Sequence, residues 1–255
     1  MADIDNTALA HFIVSLGSLN DYGSSAYQTK QALDQHTTAP LRQDNADTAI
    51  FTDALNGLAA IDETGFSTAG IIAVNRQFSS PSDEEPRRPG HLRDARSDPY
   101  DRVAILVNAK GTDAYYPPTV VTWADLDRIV TRYQHSPQRE SDAWRIFAAI
   151  AKLQPFQDGN KRTALIAANA AYGGLARHDY LILPAKDLDR VEFMVLLLRY
   201  YVAADEDEEA SVLARMLTLL PSPAERHRLL QQPITDTTVH RPRGIHVKHQ
   251  FGDKE

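Results

Sequence analysis

Nine consecutive residues concentrate the chemistry of this chain: Gln154-Pro155-Phe156-Gln157-Asp158-Gly159-Asn160-Lys161-Arg162. Pro155 ends one helical pattern and a second opens near Asn160, so the string reads as a tight loop between two helices. The first N–H groups of a helix lack internal partners, and the macrodipole adds partial positive charge there. Asp158 and Gly159 set such groups at the start of the second helix, which makes an anion site suited to phosphate. Lys161 and Arg162 fall in the first turn, where a cation opposes the dipole unless an anion is bound. Arg162 offers a planar fork of donors matched to phosphate oxygens. Asp158 supplies a hard oxygen ligand for a magnesium ion that bridges phosphates. Asn160 can donate and accept at once. Phe156 is expected to anchor the loop in the core. Taken alone, the residues also fit a solvated, charged helix start after a proline turn.

The elements that position this loop are mostly helical. In 142–153, DAWRIFAAIAKL, residues Ala143, Phe147, Ile150 and Leu153 share one face. From Asn160 a helix runs to Gly173–Gly174, a natural C-terminal stop. The spacing predicts helices over 47–60, 68–78, 122–134, 187–203 and 210–220. Thr122 with Asp125 forms an acidic capping box. Along 187–203, Leu188, Val191, Val195, Leu198 and Val202 step by three and four. Residues 102–118 differ: RVAILVN is β-branched, AKGT turns, and DAYYPP ends on Pro117-Pro118, which predicts a short β-hairpin. The proline-rich stretch 79–99 reads as a surface loop.

Composition bounds the function. The 255 residues are 43% hydrophobic, enough for a substantial core. The absence of cysteine excludes disulfides and thiolate chemistry. A net charge of −7 argues against a nucleic-acid coat. The longest apolar run, FMVLLL, is far too short to span a membrane. MADIDNTALA has neither a basic segment nor an apolar core, so a cytoplasmic protein is expected, with delivery to a host cell as an effector the alternative. The expected fold class is mainly α with one hairpin. Residues 1–64 are expected to form a helical extension packed on a core of 65–220. Residues 221–255 should hold a helix end and a mobile polar tail.

The loop resembles the signature of the Fic/Doc family, H-x-F-x-[D/E]-G-N-[G/K]-R, at Phe156, Asp158, Gly159, Asn160, Lys161 and Arg162. Gly90-His91-Leu92-Arg93, the hairpin and Pro117-Pro118 also resemble the family's G-x-x-R element, flap and double proline. The resemblance spans roughly residues 65–205. It implies a Fic-like helical bundle with a β-hairpin flap, and transfer of AMP from ATP to a protein hydroxyl of Ser, Thr or Tyr. It assigns Asp158 to magnesium, Gly159 and Asn160 to the α-phosphate, and Arg162, helped by Lys161, to the outer phosphates. The flap, through Tyr115 and Tyr116, would hold the target by strand addition. An antitoxin-like regulator is a further partner of such proteins.

One position departs from that pattern. Where the family has its general-base histidine, this chain has Gln154, whose amide has no basicity near neutral pH. It can accept a hydrogen bond and orient a hydroxyl, but it cannot take a proton. His91, before the flap, and His135, before the motif helix, are the candidates to replace it, each with a solvated loop histidine as the plain alternative. The family's inhibitory pattern [S/T]-x-x-x-E-[G/N] has no full match; Ser80 to Glu84 and Ser136 to Glu140 share only the spacing. Three readings follow: a nucleotide-binding protein with weak, altered or absent AMP transfer, a non-catalytic peptide- or ligand-binding module, or a transferase of another group such as phosphate.

Overall fold

A computed structural model describes residues 5–42, 45–80, 86–108 and 110–236. The described residues form a helical bundle with one small sheet. The helices are α1 (Thr7–Gly17), α2 (Ala26–Gln35), α3 (Asn45–Thr64), α4 (Thr68–Arg76), α5 (Trp123–Gln134), α6 (Glu140–Leu153), α7 (Asn160–Tyr172), α8 (Gly174–Arg177), α9 (Asp187–Val202), α10 (Glu206–Thr218) and α11 (Pro223–Leu230). The tail beyond 236, with Arg241, Arg243 and Lys248, lies outside the described residues, as does Glu84 of the Ser80 pattern.

The bundle is built around α6 and α7. Phe147, Ile150, Phe156, Leu165 and Ile166 are fully buried between them. Because α7 reads TALIAANAA through its middle, its backbone can lie close to its neighbours, and α1, α3, α4 and α6 all pack on it. A smaller apolar cluster joins α1, α2 and α3 through Ile13, Leu33 and Phe51. Segments 1–64 and 65–220 therefore share a core: Phe12, Leu16 and Ile61 belong to the same cluster as Phe147 and Leu196.

Most local expectations hold. The capping box of α5 is present, the Thr122 N–H donating to Asp125 Oδ2 at 2.7 Å. Gly173 ends α7 at φ 71°, in the left-handed region where glycine is free of a Cβ penalty. The hairpin over 102–118 is smaller than expected. Only Ile105–Leu106 (β1) and Ala114–Tyr115 (β2) pair, antiparallel, Ile105 opposite Tyr115. The remaining β-branched residues run irregularly beside the bundle. On α9 the helix is where the three-four spacing puts it, but that stripe faces outward. Leu188 is 83% exposed and Val191 61%, while Phe193, Leu196, Leu197, Tyr200 and Tyr201 are buried. Both faces of this helix are apolar, so periodicity alone cannot tell which one meets the core.

Candidate functional site

The loop between α6 and α7 is set by its two ends. Helix α6 stops at Leu153, and Gln154 takes the left-handed conformation at φ 50°, which turns the chain into Pro155. Gly159 takes φ 72° at the start of α7. A Cβ there would come within 2.4 Å of the Phe78 ring, so glycine is required twice, for its dihedral and for the close approach. Phe156 fills the core as expected.

Gln154 is buried, and its amide is spent on structure. Its Nε2 donates to the Ala151 carbonyl at 2.6 Å. Its Oε1 accepts from Asn160 Nδ2 at 3.0 Å. The Asn160 Oδ1 accepts from the Phe156 N–H at 2.9 Å, and its Nδ2 also donates to the Phe156 carbonyl. Asn160 thus closes the loop as a clamp. Tyr201, from α9, lies beside Gln154; burial pushes its hydroxyl far up, with the Tyr115 charge adding and the Gln154 amide opposing.

Arg93 holds the loop from the other side and is fully buried. Its guanidinium donates to three main-chain carbonyls: Gln154, Asp101 at 2.8 Å and Pro118 at 3.1 Å. Its own N–H donates to the Pro155 carbonyl at 3.0 Å. One side chain thereby fixes the motif turn against the foot of the flap. Burial lowers the Arg93 pKa, and the Asp101 charge opposes that.

Asp101, also fully buried, is the hub beside it. It accepts from the Asp94 N–H at 2.6 Å, from Gln157 Nε2 at 2.7 Å, and sits 3.0 Å from His91 Nε2. Burial works against its ionised form, but these bonds together hold its pKa below the usual carboxylate value. His91 is linked to the motif through Asp101 and through Arg88, both of which bond to Gln157. His135 caps α5, bonded to the Thr131 carbonyl, and is exposed.

The cationic end of the motif is half-enclosed. Arg162 is buried with its guanidinium 4.8 Å over the Phe78 ring. Burial raises the pKa of Asp53 on α3, with Ser80 and the charge of Arg162 opposing that rise. Lys161 is partly buried and donates to the Leu19 carbonyl at 3.4 Å. Asn75 ties α4 to the loop, donating to the Asp158 carbonyl at 3.0 Å and accepting from the Gly90 N–H at 2.9 Å. Asp158 is partly buried and accepts from the Gly159 N–H. Among the described residues no group of three or more acidic or histidine side chains could hold a metal. A single carboxylate suits a magnesium ion that arrives on phosphates, which takes one or two protein carboxylates.

The flap tyrosines part company. Tyr115 turns inward, donates to the Lys152 carbonyl at 3.0 Å and lies 5.4 Å from the Tyr201 ring. Burial, then the Glu209 charge, push its hydroxyl up to about 12. Tyr116 points out and is 74% exposed. A groove of about 1200 Å³ runs from Tyr115 and Pro118 past Ile129, Arg145 and Lys152 to Glu209; none of residues 154–162 lines it.

Asn75, Phe78, Asp101 and Tyr201 were not foreseen as part of the site. Each comes from a distant segment, and only the Asp98-Pro99 turn start ahead of Asp101 is visible as a local signal.

Among curated proteins none matches the chain. A solved structure from Bacteroides thetaiotaomicron, described as a Fic domain containing signaling protein, is similar over 87% of this chain and 85% of its own, with a TM-score of 0.60 and 16% identity. At that identity the likeness speaks for the fold alone. The family model described as Fic/DOC family matches residues 65–172, which take in the Gly90–Arg93 element, the flap and the whole motif loop. Residues 65–172 of this chain thus match the Fic/DOC family, and the chain shares the fold of that solved Fic domain.

Proposed function

We propose that this Fic-type protein binds the phosphates of ATP, with their magnesium ion, at the opening turn of α7, and that AMP transfer is slow or absent. The observation that carries the reading is the position of Gln154. Both ends of its amide are bonded, one to α6 and one to the start of α7, and neither atom can take a proton. Gly159 to Arg162 would receive the phosphates, with Asp158 toward the metal. Magnesium, when bound, neutralises phosphate charge. The protein's own contribution is positioning: Arg93, Asn160 and Asn75 hold the turn, and the positive end of α7 meets the anion.

The test has two arms. Titration calorimetry with ATP and magnesium should show binding to the unmodified protein and a loss in Lys161→Ala and Arg162→Lys, with circular dichroism confirming the fold of each. With α-labelled ATP and a cell lysate, Gln154→His should label a protein target at least about 100-fold faster, the scale of a restored general base. Equal binding by all three proteins, or equal labelling with and without the histidine, would overturn the reading.

A second reading rests on the exposed face of the flap. Leu106 of β1 and Tyr116, the residue after β2, are 59% and 74% exposed beside a two-strand sheet with open edges among the described residues. Open edges accept an added strand. In this reading the domain captures an extended peptide without transfer, and Tyr116→Ala should abolish capture while ATP binding persists.

A further inference from the structure

The outward face of α9 is a seam with no partner among the described residues. Leu188, Val191, Val195, Leu198 and Val202 follow an unbroken three-four spacing, the repeat of a coiled-coil seam. Four of them are exposed: Leu188 83%, Val191 61%, Val195 45% and Val202 51%. Leu198 is partly buried against the core. A surface helix of a monomer needs only one apolar stripe, and α9 already buries Phe193, Leu196, Leu197, Tyr200 and Tyr201 on the other. The second stripe runs the whole helix, about 24 Å at 1.5 Å per residue.

The charges beside the seam say what covers it. Glu192 and Arg199 flank it on the same side, one heptad apart, and both are exposed. Asp187 flanks the other side and already pairs with Arg190. If a second α9 lay parallel, Asp187 of one copy would face Glu192 of the other, and like charges would meet. If it lay antiparallel, same-side flanks would meet, bringing Glu192 of each copy to Arg199 of the other. On the other flank Met194 carries no charge and Tyr201 is buried in the core, so the antiparallel arrangement brings no like charges together there. A two-fold axis makes both ion pairs at once, because an isologous contact repeats every pairing.

We propose that α9 is the two-fold contact through which this chain pairs antiparallel with a second copy of itself. The apolar seam supplies the attraction, and Glu192 with Arg199 sets the direction. The proposal is independent of the nucleotide reading, since α9's outer face touches no residue of the motif loop.

Sedimentation velocity on the full chain over a concentration series tests it. The unmodified protein should approach twice its 28.4 kDa mass. Val195→Asp, at an exposed position that leaves the monomer's core intact, should stay monomeric at every concentration. Glu192→Arg and Arg199→Glu should each weaken pairing by about tenfold or more, through like charges meeting twice. The double reversal should restore it, and so should an equimolar mixture of the two single variants. An unmodified protein that stays monomeric to its solubility limit would overturn the proposal. So would a dimer that Val195→Asp and both reversals leave unchanged.

Discussion

Asn160 Nδ2 donates to Gln154 Oε1 at 3.0 Å, a bond that joins the cap of α6 to the first residue of α7. Gln154 is thereby a strut between the two helices. Gln154→Ala removes this bond and the one to the Ala151 carbonyl in a buried setting. The expected loss is about 1–3 kcal/mol by chemical denaturation, the usual cost of stranding buried polar groups. Asn160→Ala should cost as much or more, since it also strands the Phe156 N–H.

Gly159→Ala meets two penalties, a left-handed dihedral and the Phe78 ring. The dihedral alone costs about 1–2 kcal/mol. The clash should raise the total above that. In Phe78→Ala the same glycine change should cost only the dihedral share, so a double-mutant cycle on thermal or denaturant midpoints should show strong coupling.

Arg93→Ala should be among the most damaging single changes in the chain. It strips a donor from the Gln154, Asp101 and Pro118 carbonyls and leaves a cavity in a fully buried place. A loss of about 3–5 kcal/mol is expected. Arg93→Lys should recover little, because one ammonium cannot reach three divergent carbonyls in the geometry of a planar fork.

Asp101 makes part of the stability pH-dependent. Its folded pKa lies below the ordinary value of 3.8. A depressed carboxylate contributes stability above its unfolded pKa and loses it as pH falls through the folded one. The melting temperature of the unmodified protein should therefore exceed that of Asp101→Asn at neutral pH. The gap should close as pH drops below about 4, near the reference carboxylate value. A gap constant across that range would mean that Asp101 acts by shape alone.

The motif loop and the helices that flank it were legible in the sequence because their signals are local. Pro155, Gly159 and the Thr122–Asp125 box each act within a few residues of themselves. The support of the loop was not legible. Arg93 lies 61 residues before Gln154 and Asn75 lies 83 before Asp158, and no local pattern encodes such pairings. The inward turn of Tyr115 and the outward turn of Tyr116 follow from strand alternation once the hairpin's facing is known. That facing is set by Lys152 and Tyr201, which the hairpin's own residues do not reveal. The two apolar faces of α9 posed the same problem, and only the neighbours decided it.

The alanines of α7 carry a consequence for where this chain can be cut. Alanine brings little surface of its own, so α7 gains its burial from whatever leans against it. Two of the helices that do so, α1 and α3, precede residue 65. An expression boundary drawn at the start of the family match would strip one flank from the helix whose first turn closes the motif. The opening residues thus act as scaffold for the site, and a shortened protein would lose the site's alignment before it lost any residue of the motif.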